Sequence, residues 1–177
     1  AAAGCHVALC DISEPDMAGT VELCKAAIDR GVRITAHRCD VASESDLNNF
    51  REQVAQQHGA AHINLLFNNA GVSGGPSFLR DNREQWDRVF NICWGGVYLG
   101  CRVFMPMLLA SERGHIINIS SINGFWACMG ANVEHTAYSA AKFAVKGFSE
   151  ALLVDLRKHA PHVNISVVMP GHIGTDI

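Results

Sequence analysis

The stretch His62-Ile63-Asn64-Leu65-Leu66-Phe67-Asn68-Asn69-Ala70-Gly71 decides the fold. An apolar run of strand length ends abruptly in two carboxamides and a small-residue turn. The run is too short for a helix and too continuously apolar for a strand with one wet face, so it reads as a strand covered on both sides. The same unit recurs on either side of it: His6 to Asp11, Val32 to Arg38, His115 to Ser120 and Val163 to Met169 are further short runs rich in Val, Ile or Leu. Amphipathic stretches of helix length separate them. Strands alternating with helices imply an α/β fold with a doubly wound parallel sheet, because parallel neighbours need a crossover that a helix supplies.

Local signals place the helices. Ser13-Glu14-Pro15 offers a capping residue and an early proline, and the helix it starts is expected to run to Gly31. A second begins near Ser43, with Asp46 three residues on as a partial capping box, and stops near Gly59. A long one covers about Asp81 to Ala110, and another about Thr136 to His159, where Pro161 forbids continuation. No linker, repeat or composition shift divides the chain, so residues 1–177 read as a single domain. The glycine-rich piece Gly71 to Pro76 joins a strand to a helix and belongs to a site.

A formal charge of −3 and scattered Lys and Arg residues give no basic field, which excludes nucleic acid as a partner. The longest apolar run considered, Val103 to Ala110, is short and holds Pro106, so no membrane span is expected. Seven cysteines form no C-x-x-C pair and mostly sit in apolar runs, and Ala1-Ala2-Ala3-Gly4 does not read as a signal peptide. A reducing, cytoplasmic compartment fits that usage. Nine histidines show no ligand spacing, so no metal is expected.

In open parallel sheets ligands bind beyond the carboxyl ends of the strands, where this chain puts Asp11, Asp40, Asn68 to Gly71, Ser121 and Pro170 to Thr175. Tyr138-Ser139-Ala140-Ala141-Lys142 then sets a phenol and an ammonium one helical turn apart on one face. At ~5 Å and an effective dielectric of ~20 their attraction is roughly 3 kcal/mol, about two pKa units in favour of the phenolate. A phenol brought toward neutrality is a usable general acid and base.

With Asn68-Asn69-Ala70-Gly71 after one strand, Ile119-Ser120-Ser121 at the end of the next and Pro170-Gly171 after the last, the sequence resembles the short-chain dehydrogenase/reductase family over essentially its whole length. The resemblance implies a Rossmann-like sheet flanked by helices, a nicotinamide dinucleotide, and hydride transfer between an alcohol and a ketone. It implies that Tyr138 exchanges a proton with the substrate oxygen, that Lys142 holds the nicotinamide ribose and keeps the phenol acidic, and that Ser121 orients the substrate oxygen. Ser121 is preferred to Ser120 because strand residues alternate in direction. For the cofactor it implies Asp11 on the ribose hydroxyls, hence NAD rather than NADP. Asp40 and Val41 are implied at the adenine, Asn68 near the adenosine ribose, Ala70 and Gly71 as a close backbone approach, and Ile173 and Thr175 at the carboxamide end. Pairing into a homodimer or homotetramer is implied for the two long helices, whose Trp86, Phe90, Trp94, Tyr98, Phe104, Phe143 and Phe148 exceed one core-facing stripe.

Three departures accompany the resemblance. The family's first strand with its glycine-rich turn, and its substrate-covering segment with the last strand, have no counterpart within residues 1–177. Cys93 stands where the family usually has asparagine, with Asn91 pointing elsewhere. Ser121 and Tyr138 are separated by a longer loop than is common, and its Phe125, Trp126 and Met129 either contact an apolar substrate or pack in the core. Two other readings stay open: a dinucleotide-binding regulator that keeps the scaffold without the chemistry, and a sugar-nucleotide epimerase, which also uses Y-x-x-x-K.

Overall fold

The computed structural model of the chain describes residues 1–28, 31–72, 77–80, 82–128 and 134–171. The elements in order are β1 (Val7–Asp11), α1 (Glu14–Ala26), β2 (Ile34–Arg38), α2 (Glu44–His58), β3 (Leu65–Asn68), α3 (Arg83–Phe90), a π turn (Asn91–Gly95), α4 (Gly96–Leu109), β4 (Gly114–Ile119), a 3-10 turn (Ile122–Gly124), α5 (Thr136–His159) and β5 (Val163–Val168). Every strand pair is parallel, β1 with β2, β3 with β4 and β4 with β5. Among the described residues the sheet is therefore in two parts, β2-β1 and β3-β4-β5, so β1 and β3 each keep one unpaired edge.

One helical layer spans both parts. Phe50 and Val54 of α2 and Phe104 and Met107 of α4 enclose a cluster that reaches Ala8 and Cys10 on β1 and Leu66 on β3. A second cluster joins Val97, Cys101 and Leu108 of α4 to Val145 and Leu156 of α5 over Ile116 and Val163. Leu108, Ile116 and Val145 are fully buried, and each contributes about 1.5–3 kcal/mol relative to an exposed position. Helix α1 lies on the other face, since Met17 and Ala18 line one hollow with Ala36 and Arg38 whereas the intervening His37 packs on Phe50 of α2. On that other face Leu65 and Phe67 of β3 remain exposed, at 49% and 60%.

The sequence signals hold with specific adjustments. Ser43 accepts from the Asp46 amide at 3.2 Å, and Gly59 closes α2 with φ 59°, the left-handed cap that glycine supplies without strain. Helix α1 stops at Ala26, short of Gly31, where the Ala27 amide turns back to Cys24. Ser13 makes no side-chain cap there; its own amide donates to Asp11 Oδ1 at 2.9 Å instead. The 81–110 helix is interrupted by the π turn at Asn91–Gly95, a widening that a purely periodic reading does not register. Across that turn Arg83–Leu109 contains an 18-residue window of mean hydropathy 1.5, so one helix does reach the length and composition of a membrane span. The window is longer than the Val103 to Ala110 run, and its length and composition alone do not make it a span. Half of that window is buried in the fold, as befits a helix wedged between sheet and α5.

Candidate active site

The carboxyl ends of β3 and β4 and the first turns of α5 meet at one place. Ser121 lies two residues past β4 and caps the 3-10 turn, its hydroxyl accepting from the Asn123 amide at 3.2 Å. The same hydroxyl faces the Tyr138 phenol and favours its ionised form. Lys142, one turn further along α5, lies with Nζ 5.4 Å from the Tyr138 ring centre and donates to the Ile119 carbonyl at 2.9 Å. Ser120 points the other way, donating to the Lys142 carbonyl at 2.8 Å, so strand alternation assigns the two serines to different tasks. Ser121 faces the Tyr138 phenol, and Ser120 ties the backbone of α5 to the end of β4.

Burial fixes the electrostatics. Desolvation holds the Tyr138 phenol above its ordinary value, opposed by the Ser121 hydroxyl and reinforced by Cys93. Desolvation also lowers Lys142, opposed by Cys93. The net acidification of Tyr138 expected from the ammonium is therefore absent: loss of water around the phenol is the dominant influence, and it raises the phenol.

Cys93 is completely buried at the centre of the π turn and donates to the Val72 carbonyl at 3.7 Å. A Cβ placed on Gly71 would lie 3.9 Å from both Cys93 Sγ and Lys142 Nζ, so this thiol and the ammonium flank the turn after β3. Asn91 is exposed on the helix surface.

At the other end of the row, Asp11 is exposed and commits Oδ1 to the Ser13 amide. Asp40 accepts from the Ala42 amide at 2.9 Å, and its own amide donates to Asp46 at 3.1 Å, holding the turn before α2. Val41 packs under the start of α4, where a Cβ on Gly96 would come within 2.8 Å of it. Ala70 and Gly71 lie exposed beyond the end of β3. The Asn68 side chain points inward, donating to Asn118 at 2.8 Å and to Cys101 at 3.3 Å. Ile173, Thr175 and Met129 lie outside the described residues. Phe125 and Trp126 are exposed, at 67% and 62%, beside the 3-10 turn rather than in the core.

Sequence reasoning missed Asn118. It is fully buried in β4, accepts from Asn68 and donates to Ser149 of α5 at 2.8 Å, while Ser149 donates to the Val145 carbonyl. The signal lay in Ile116-Ile117-Asn118-Ile119-Ser120, where a carboxamide occupies a core-facing position of an apolar strand. Asn123 was missed too; it donates to Ser139, whose hydroxyl donates to the Ala127 carbonyl, so the loop after β4 is pinned to α5. Among the described residues no group of three or more His, Cys, Asp or Glu side chains could hold a metal.

The class so defined is a parallel α/β domain that gathers a serine, a phenol and an ammonium beyond the carboxyl edge of its sheet. The family described as short chain dehydrogenase matches residues 1–177, and the chain belongs to that family. It is similar to the 3-oxoacyl-[acyl-carrier-protein] reductase of Bos taurus, 35% identical over 152 residues, covering 86% of this chain and 61% of that protein. A short chain dehydrogenase/reductase from Burkholderia phymatum, solved in complex with NAD, superposes with a TM-score of 0.83 at 31% identity, covering 95% of this chain and 57% of its own. A metagenomic short-chain oxidoreductase solved in complex with NADP gives 0.79 at 30% identity, covering 94% of this chain and 71% of its own. The chain thus spans less than two thirds of the bovine reductase and of the Burkholderia enzyme.

Proposed function

We propose that the whole protein is an NAD-dependent oxidoreductase that moves a hydride between a nicotinamide cofactor and an alcohol or ketone. The observation that carries this reading is the convergence of Ser121, Tyr138 and Lys142 beyond β4, with the Lys142 ammonium 5.4 Å from the phenol ring and anchored on the Ile119 carbonyl. Tyr138 is the general acid in ketone reduction and the general base in alcohol oxidation. Ser121 donates to the oxygen on which charge develops, a contribution that grows in the transition state. Lys142 uses one N–H on Ile119 and keeps two for ribose hydroxyls. Bound NAD supplies the hydride acceptor, and NADH the donor.

The donor set suits a dinucleotide. Asp11 keeps one carboxylate oxygen for the ribose hydroxyls, where a second negative charge from a 2′-phosphate is disfavoured, so NAD is preferred to NADP. Asp40 and Val41 take the adenine, and Asn68 acts beside the adenosine ribose through its backbone, its side chain being engaged inside. Ala70 and Gly71 leave the approach to Lys142 clear, and Ile173 and Thr175 serve the carboxamide end. The free edges of β1 and β3, under one helical layer, suit the further parallel strand with a glycine-rich turn that the family places there. Exposed Phe125 and Trp126 favour an apolar substrate. The packed Trp94, Tyr98 and Phe148, with Tyr98 and Phe143 still 42% and 43% exposed, favour a homodimer or homotetramer through α4 and α5. A cytoplasmic location accords with the cysteine usage.

Tyr138→Phe in the full-length protein tests the reading. NADH binding persists, and turnover over an alcohol and ketone panel falls by about 10²–10⁴-fold, as for the loss of a general acid and base. Undiminished turnover refutes the assignment, and NADH binding without wild-type turnover on any of the panel identifies a regulator instead.

A further inference from the structure

Two Cys-Asp dipeptides end neighbouring strands: Cys10-Asp11 closes β1, and Cys39-Asp40 follows β2. Asp11 pairs with Arg38 in register and its carbonyl accepts from the Cys39 amide at 3.0 Å. Cys10 pairs with His37, so Cys10 and Cys39 occupy diagonal positions on one face, packed in the same cluster under α2 and α4. Each thiol influences the ionisation of the other across that cluster. Neither belongs to the proton-transfer machinery, and each immediately precedes a carboxylate assigned to the adenosine half of the cofactor.

We propose that Cys10 and Cys39 form a redox-responsive dithiol whose oxidation to a disulfide weakens cofactor binding by displacing the Asp40 turn relative to Asp11. This rests on the reading of Asp11 and Asp40 as cofactor ligands. The chemistry divides between the two thiols. The neighbouring Cys39 thiol lowers Cys10, whereas Cys10 and then burial raise Cys39, so Cys10 is the thiol that ionises more readily and Cys39 the one that keeps its proton. Cys10 is also the more accessible, partly exposed where Cys39 is 1% exposed. A hydroperoxide is the oxidant: the Cys10 thiolate attacks the distal oxygen, the O–O bond breaks, and an alcohol (water from hydrogen peroxide) leaves with a sulfenic acid formed on Cys10. Cys39 sulfur then attacks Cys10 Sγ, the S–O bond breaks, and water leaves with the Cys39 proton. Two thiols and one hydroperoxide give one disulfide, one alcohol and one water.

Geometry couples that bond to the site. Diagonal neighbours on parallel strands have Cα atoms about 8 Å apart from strand spacing and rise, beyond the ~4.4–6.8 Å of a disulfide. Cys39 lies one residue past β2, at the turn that carries Asp40, so the bond must draw this turn toward β1. The distance between the two carboxylates then no longer suits one adenosine.

The full-length protein, treated with hydrogen peroxide and then with dithiothreitol, is analysed by peptide mass mapping and by NADH titration. A Cys10–Cys39 cross-link with loss of two hydrogens is expected, with NADH affinity falling about 5- to 50-fold, in the range of site-to-site coupling, and recovering on reduction. Cys10→Ser and Cys39→Ala each abolish the cross-link and the affinity loss. Absence of the cross-link overturns the proposal, as does a cross-link that leaves affinity unchanged or an undiminished loss in Cys10→Ser. Reduced protein that fails to bind NADH refutes the cofactor reading instead, and with it the control of binding, while the mass map still reports separately whether the dithiol forms.

Discussion

Gly124 is the position where a single methyl group tests how the fold holds the site. It ends the 3-10 turn after Ser121, and a Cβ there would lie 2.3 Å from Ser120 Oγ, 2.7 Å from the Lys142 carbonyl oxygen and 3.0 Å from its carbon. The serine could rotate away only by giving up its 2.8 Å hydrogen bond to that carbonyl. The carbonyl belongs to the middle of α5 and cannot yield unless the helix shifts by several tenths of an ångström. Overpacking of this kind costs about 1–3 kcal/mol and the lost hydrogen bond about 1 kcal/mol, so Gly124→Ala is expected to destabilise by roughly 2–4 kcal/mol. For a domain of this size that corresponds to a Tm lower by roughly 4–16 °C. Because Lys142 starts from the displaced carbonyl, turnover falls as well. Gly147 on the same helix is the control: nothing lies within 4 Å of its Cβ position, so Gly147→Ala is expected to stabilise by about 0.5–1 kcal/mol. Urea titrations of the full-length proteins followed by circular dichroism decide the matter. Gly124→Ala within about 0.5 kcal/mol of the parent, an ordinary surface-substitution effect, refutes the close approach of turn and helix.

Stability is expected to fall on mild acidification because of a histidine cluster at the opposite end of the strands. Thr35 Oγ1 bridges His58 Nε2 and His37 Nε2 at 2.8 Å each, His37 Nδ1 meets Gln53 Oε1 at 2.6 Å, the His6 ring lies 6.1 Å from His58, and Arg33 donates to the His58 carbonyl. Burial, then His6, Arg33 and His37, hold His58 below its ordinary value. The unfolded chain therefore binds more protons, and stability present above about pH 6.5 is lost as pH falls toward the depressed folded value. The urea midpoint at pH 5.5 should lie below that at pH 7.5, and His58→Gln should reduce the difference; an identical pH dependence in the variant sinks the assignment. Asn118→Leu strands Asn68 and Ser149 without their shared partner in a fully buried site. It should cost about 2–4 kcal/mol by chemical denaturation, and a neutral result would mean that the network is dispensable.

Much of the fold was legible in the chain because its information is local. Apolar runs ending in Asp11, Arg38, Phe67, Ser120 and Met169 located every described strand to within a few residues, and Ser43, Asp46, Gly59 and Pro161 set helix ends through backbone groups close in sequence. The π turn, with Cys93 at its centre donating to Val72, was not legible, since a local widening leaves no mark on the apolar periodicity of one helix. Nor was the divided sheet: strand pairing is a relation between segments, and the two unpaired edges emerge only when β1 and β3 are placed under a common helix layer.

The candidate site divides in the same way. The sequence by itself determined that a phenol and an ammonium share a helix face and that a serine and two carboxylates stand at strand ends, because residue spacing and regular geometry suffice for that. Only the tertiary structure decided that Tyr138 meets Ser121, that Asn68 turns inward to Asn118, that Phe125 and Trp126 face outward, and that Cys10 lies against Cys39. It also reversed the expected shift of the Tyr138 phenol. The sign of that shift depends on how much water the surrounding chain removes, and desolvation is a sum over neighbours distant in sequence, which no spacing of two residues can contain.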